Sequence, residues 1–312
     1  MSDANRVRIG YAAESVWGTT PASPALQLLR FTNDSLMANA EFSSSNEIRD
    51  DRQVSDVVRT NFGAGGDLGI ELSYGAFDEL FEALLFSDWV LDGGGAGIDT
   101  LENGVTSKFF TLEKHFVDIN QFIAFRGMMV AGGQISVEPG SFLTGSFSFL
   151  GKDAVPASAT VGDGSPVAAP TNAVVNAIDH ITAFTEGGGA FGGDVLGLNF
   201  EVQNNLRARP AVGVLGASSI GVGRIQVSGT FNTYFDSLTE YQKFINGTAS
   251  SLGFTITDAA GNAYTIEFPR VRYTSGNPDT PGVDQDIVLP LEFTAFLDPV
   301  SGVTIRMTRN PA

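Results

Sequence analysis

Two histidines, His115 and His180, and a scatter of carboxylates are the main side chains of this 312-residue chain suited to proton transfer or metal binding, because it contains no cysteine. Without cysteine there is no disulfide framework, no thiolate zinc site and no cysteine nucleophile. Metal sites usually recruit histidines in groups, and a catalytic histidine needs an oriented partner. Lys114-His115 and Asp179-His180 show neither pattern, so both read as ordinary surface or interface residues, with His180 placed for an ion pair to Asp179. Asp50 with Asp51, and Asp78 with Glu79, are paired carboxylates that could hold a cation or do acid–base work. Arg49 and Arg52 bracket the first pair, which favours local ion pairs in a loop. The second pair falls in a first helical turn, where the macrodipole favours negative charge. Gly-rich runs at 63–66, 93–97 and 187–193 lack the Lys-Ser/Thr of a phosphate loop and the dinucleotide spacing between strand and helix. The sequons at Asn33 and Asn246 read as turns. No catalytic residue, cofactor site or metal site can be nominated, and the chain reads as not an enzyme.

The elements that would position these residues are mostly strands. Leu68, Ile70 and Leu72 alternate with Glu71 and Ser73; Ile225, Val227 and Phe231 alternate with Gln226, Ser228 and Thr230. Phe147 and Phe149 oppose Ser146 and Ser148, while Leu291 and Phe293 oppose Glu292 and Thr294. Period-two alternation means one buried and one wet face, as in antiparallel sandwiches. Two short helices are predicted, over 76–86 with Phe77, Leu80, Phe81 and Leu84 at helical spacing, and over 235–246. Each directly follows an alternating strand. The order strand, long loop, strand, helix, hairpin, long loop, strand occurs twice, at an offset of about 157–159 residues before the helix and about 143–145 after it. The prediction is a mainly β fold with two tandem antiparallel β-sandwich or barrel-type units, each with one short α-helix. Residues 1–30 read as an irregular arm, 31–150 as the first unit, 151–177 as an Ala-, Pro- and Gly-rich linker, and 178–312 as the second unit.

Composition narrows the class. The net charge is −17 and the acidity is spread over both halves, which disfavours tight binding to phosphate backbones. Twenty-four Phe against 6 Tyr and 2 Trp read as core and not as a ligand platform. No run is long and apolar enough to span a membrane as a helix, no membrane anchor is expected, and the polar start over 1–10 does not resemble a signal peptide.

The opening Glu14-Ser-Val-Trp-Gly-Thr-Thr-Pro21, then Leu29-Arg-Phe-Thr-Asn-Asp-Ser-Leu36, then Ser45-Asn-Glu-Ile-Arg49 with Gly66-Asp-Leu-Gly-Ile-Glu-Leu72, resembles the tail tube (major tail) proteins of long-tailed bacteriophages. The helix after the Glu71 strand and the closing strand near Phe293 are similar to that family as well, so the resemblance covers nearly the whole chain. It implies a self-assembling virion protein, made in the host cytoplasm, whose rings stack into a hollow conduit for genome delivery. It implies partners rather than substrates: further copies of itself, a tape-measure protein, tail tip and terminator proteins, and genomic DNA that passes without tight binding. No cofactor is implied. Most tube subunits carry one unit and form six-membered rings; two units per chain would make a homotrimeric, pseudo-sixfold ring, the alternative being a hexamer. Head decoration protein, tail terminator and β-sandwich adhesin are the competing readings.

On this reading the polar faces would line the lumen, with Glu71, Ser73, Ser146, Ser148, Gln226, Ser228, Thr230, Glu292 and Thr294 pointing inward. The long loops 49–66, 208–223 and 269–283 would contact neighbouring subunits or rings, through Arg49, Asp50, Asp51, Arg52, Arg207, Arg209, Arg270 and Arg272.

Overall fold

Alternating apolar residues with few helix-length stripes leave the backbone little choice but to pair as sheet. The computed structural model describes residues 3–92, 97–280 and 282–312, so most of the Gly-rich run at 93–97 lies outside the described residues. In chain order the first strands are β1 (Val7–Glu14), β2 (Gln27–Leu28), β3 (Asn33–Asp34), β4 (Met37–Ser44) and β5 (Val57–Glu71). Helix α1 (Asp78–Leu85) follows, then β6 (Asp99–Glu102), β7 (Phe109–Phe116), β8 (Gln121–Val137), β9 (Thr144–Gly151) and β10 (Asp153–Ala157). The remainder holds β11 (Ile181–Glu186), β12 (Gly189–Ala190), β13 (Val195–Gln203), β14 (Arg207–Pro210), β15 (Ala217–Gly221) and β16 (Gln226–Tyr234). It ends with α2 (Thr239–Asn246), β17 (Ser250–Thr257), β18 (Ala263–Ser275), β19 (Val288–Ala295) and β20 (Arg306–Asn310). The fold is mainly β and antiparallel, and the two helices lie inside the predicted spans.

One continuous run crosses the molecule in the order β4, β5, β9, β8, β13, β16, β19, β18. Its apolar side carries the predicted core: Leu68, Ile70, Leu72, Phe147, Phe149, Val227, Phe231, Leu291 and Phe293 are all buried. Strands β8 and β18 are long, 17 and 13 residues, and leave this run to join a second layer. There β1, β7 and β10 gather about the first half of β8, while β11, β17 and β20 gather about the first half of β18. The phenylalanine excess fills the space between, with Phe81, Phe110, Phe125, Phe254 and Phe268 among the fully buried side chains.

Several connections are more ordered than their composition suggests. The presumed arm 1–30 contains β1, paired along its whole length with β7. Small residues at Gly10, Ala12 and Ala13 blur its alternation, but Ile9 and Tyr11 are buried. The presumed linker is stitched to the first half: β10 pairs with β8, Val167 exchanges backbone hydrogen bonds with Leu26 and Leu28, and Val175 does so with Leu72 and Leu143. A segment that cannot build a core can still be held where a neighbouring edge satisfies its backbone. The predicted loop 49–66 is half strand, because β4 and β5 form a long hairpin whose tip beyond the strands is only 45–56. Residues 208–223 hold the β14–β15 hairpin, and 269–275 belong to β18.

The two halves meet through two strand pairings, and the β14–β15 hairpin also touches the first half, where buried Gly216 lies against the Phe62 carbonyl. Six residue pairs join β8 to β13, from Leu198 opposite Val137 to Gln203 opposite Gly132. On the second layer β6 pairs with β20, with Arg306 bound to Glu102, and Arg309 to Asp99 and Asp78. Tyr264 donates to Asp78, and burial, reinforced by that carboxylate, pushes its hydroxyl pKa well up. At the edge of the first contact buried Asn204 donates from Nδ2 to the carbonyls of Leu84 and Val130, both at 3.0 Å. Replacing Asn204 with Ala strands two buried acceptors, so urea unfolding should show a loss of about 2–4 kcal/mol. A change under about 0.5 kcal/mol, the ordinary surface value, would show that the amide is not holding the halves together.

Candidate functional site

The face of the long run opposite the core is a continuous polar surface, and strand register sets its rows. One row reads Glu71, Thr144, Ser136, Asn199, Thr230, Glu292 and Ser275, each directly opposite the next on β5, β9, β8, β13, β16, β19 and β18. The adjacent row reads Gly69, Ser146, Gln134, Glu201, Ser228, Thr294 and Arg272. A shorter third row runs from Asp67 through Ser148 and Gly132 to Gln203 and Gln226. The rows exist because the pleat sends alternate residues to opposite faces, so burying Phe147, Phe200, Phe231 and Phe293 on one side aims their neighbours the other way. Around Gln134, Asn199, Glu201, Thr230 and Glu292 the face sinks into an open depression of about 490 Å³.

Eight of the nine residues predicted for the polar face fall on these rows. Ser73 does not: it lies beyond the end of β5, is fully buried, and accepts a hydrogen bond from Arg30 at 3.0 Å. Sequence reasoning passed over Gln134, Ser136, Asn199 and Glu201, although Leu198, Phe200 and Val202 alternate clearly around the last two. Arg272 was expected in a loop, yet it stands on β18 at the end of the second row, with Arg270 nearby; both guanidinium groups lie over the Phe296 ring, at 5.4 and 4.9 Å.

The other predicted residues are separate from this face. Arg49 binds Asp51 through two hydrogen bonds, at 3.0 and 2.6 Å, at the exposed tip of the β4–β5 hairpin, and the pairing holds the Asp51 carboxyl below its ordinary pKa. Asp50 and Arg52 share that tip, while Arg207 and Arg209 lie on the exposed strand β14. The two histidines do not converge. His115 stacks on Phe122 with centroids 4.1 Å apart. His180 accepts from the Asn176 backbone at 3.1 Å, and the expected Asp179 pairing is replaced by an Asn176–Asp179 hydrogen bond.

Among the described residues no group of three or more potential ligands could hold a metal ion. No described helix is long and apolar enough to cross a membrane, which says nothing about strands. What the face offers is wettable hydroxyls, amides and carboxylates in register. No curated protein gives a match. The family model for phage tail tube proteins matches residues 4–295, and the chain belongs to that family of structural, non-enzymatic virion components.

Proposed function

We propose that the chain is two tandem copies of one tube unit, and that three chains close a pseudo-sixfold ring with the polar rows facing the lumen. Strand pairing, rather than residue identity, supports the duplication. Strands β5, β9 and β8 are neighbours in one half as β16, β19 and β18 are in the other, with β1, β7 and β10 corresponding to β11, β17 and β20. Both helices end on a left-handed residue, Phe86 in α1 and Gly247 in α2. The first unit on this view takes in β1 and β10, wider than the 31–150 read from sequence, and 158–180 connects the two.

The observation that carries the lumen assignment is the unbroken polar register across both halves. A conduit for DNA should wet easily and should not hold phosphates. Across these rows Glu71, Glu201, Glu292 and Asp67 stand against Arg272, with Arg270 beside it at the β18 end. The tape-measure protein would occupy the same channel during assembly, and tip and terminator proteins would cap the stack. The hairpin tip at 45–56 and the β14–β15 hairpin would touch neighbouring subunits or rings. A reconstruction of the assembled tube tests all of this: three chains per ring are expected, with Glu201 and Glu292 nearest the axis. Six chains per ring, or these carboxylates on the outer wall, would refute it.

A further inference from the structure

We infer that Arg270 and Arg272, gathered over the Phe296 ring at the β18 end of the polar face, form a contact site for the phosphates of passing DNA. The site rests on the lumen assignment above and is a place where an otherwise repelling wall attracts the duplex. Arg272 lies opposite Thr294. Phe296 donates its backbone N–H to the Arg270 carbonyl at 3.0 Å, which carries the pairing on past the end of β19. Thr294 and Phe296 flank buried Ala295 and share the side of Glu292, so the ring and both arginines stand on the polar face.

An aromatic ring on a wet face needs cover, and arginine stems supply it. Phe296 and Arg270 are half-buried, while Arg272 is exposed. One arginine would cover the ring. Two bring like charges together, and among the described residues neither guanidinium has a hydrogen bond or an ion pair. The chain has 35 acidic residues against 18 basic, and Arg49, Arg126, Arg306 and Arg309 all hold carboxylates. Asp298 feels the Arg270 charge, but its Oδ2 already accepts from the backbone N–H and the hydroxyl of Ser301, both at 2.8 Å. The pair is thus left with donors that the chain itself does not satisfy.

The chemistry of those donors selects the guest. A guanidinium is always charged, and its planar fork matches phosphate oxygens. Lying over an aromatic ring, it is held in place before the guest arrives. A duplex carries one negative charge per about 1.7 Å of its axis, so wherever it passes, a phosphate comes within reach of a fixed pair. A carboxylate on a protein guest would have to be placed at the matching position. The rows leading away from the pair carry Glu292, Glu201, Glu71 and Asp67. That acidic surround confines attraction to the pair, so a phosphate is engaged and released as the next one follows.

Labelling of arginines with phenylglyoxal, read by mass spectrometry, tests the site on unmodified particles. Arg270 and Arg272 should label in emptied tubes and be protected at least about fivefold in particles arrested with duplex inside the tube. Carbodiimide labelling of Glu201 and Glu292 in the same samples reports on the lumen separately. Carboxylates shielded by DNA beside unshielded arginines would overturn the site and leave the lumen assignment standing. Shielding of neither would bring down both. Arginines already protected in emptied tubes would be contacts between copies, and arginines protected only while the tape-measure protein fills the tube would have a protein guest; either result overturns the site. Arg270→Gln with Arg272→Gln should speed DNA exit at low salt and flatten its salt dependence, because log affinity falls with log salt by about 0.9 per phosphate neutralised. The lysine pair, Arg270→Lys with Arg272→Lys, should keep that dependence. An unchanged dependence in the glutamine pair would also overturn the site.

Discussion

Phe42→Thr, Ile48→Ser, Val54→Ser and Val58→Thr, combined, should give a folded monomer that forms no tube. These four residues sit on the β4–β5 hairpin and its tip and are 63, 99, 64 and 56% exposed. The whole of β4 is exposed, so the hairpin stands out from the body beyond its base at Phe62, where Gly216 packs. An arm of this length that displays apolar residues is a poor solution for an isolated protein and a good one for a protein whose neighbours cover it. Fully burying one such side chain stabilises by about 1.5–3 kcal/mol. Removing four half-used contacts would therefore weaken each arm by about 4 kcal/mol, roughly a thousandfold in affinity. The monomer should hardly notice, since exposed positions usually shift stability by less than about 0.5 kcal/mol, and threonine keeps the β preference at the two strand positions. Electron microscopy for tubes and urea melts of the free protein give the two readings. Tubes of normal length would remove the arm from the assembly.

The face that bears the proposed function was legible where alternation was strong and hidden where it was weak. Leu68 to Leu72 and Leu291 to Phe293 alternate without interruption, and both their buried and wet residues were placed from sequence. Ser73 failed because alternation continues on paper after the strand has stopped: β5 ends at Glu71, the chain turns toward α1, and Arg30 captures the hydroxyl inside. Strand β8 was read only in part because Gly127, Gly132 and Gly133 break its pattern. Gly132 has no room for a Cβ, which would sit 2.8 Å from the Val202 carbonyl, so the residue that hides the strand is the one that lets the halves meet. The connections resisted reading for a different cause. Segments 1–30 and 151–177 gain their order from edges supplied by other parts of the chain, and local composition carries no trace of a partner elsewhere in the sequence.

Glu71→Lys with Glu292→Lys should leave assembly intact and slow the exit of DNA. Both carboxylates stand on one polar row, Glu71 at its β5 end and Glu292 near its β18 end. Glu292 is exposed and Glu71 half-buried, and neither lies on the apolar side, so stability should change by no more than about 0.5 kcal/mol. The electrostatic consequence is larger because it repeats. Every ring would present the same new cations at the same radius, and Arg272 already supplies one on the neighbouring row. DNA moving along the axis would meet a ladder of phosphate contacts instead of a surface that repels it. Binding of this kind depends steeply on salt: log affinity falls with log salt at a slope of about −0.9 per phosphate neutralised. Ejection should therefore be slow at low ionic strength and recover as salt is added. The neutral pair Glu71→Gln and Glu292→Gln should fall between the charge-reversed and unmodified tubes, because it removes repulsion without adding attraction. Charge-reversed tubes that eject at the unmodified rate in low salt would place these side chains away from the DNA path, since no wall in contact with the duplex could reverse its charge without effect.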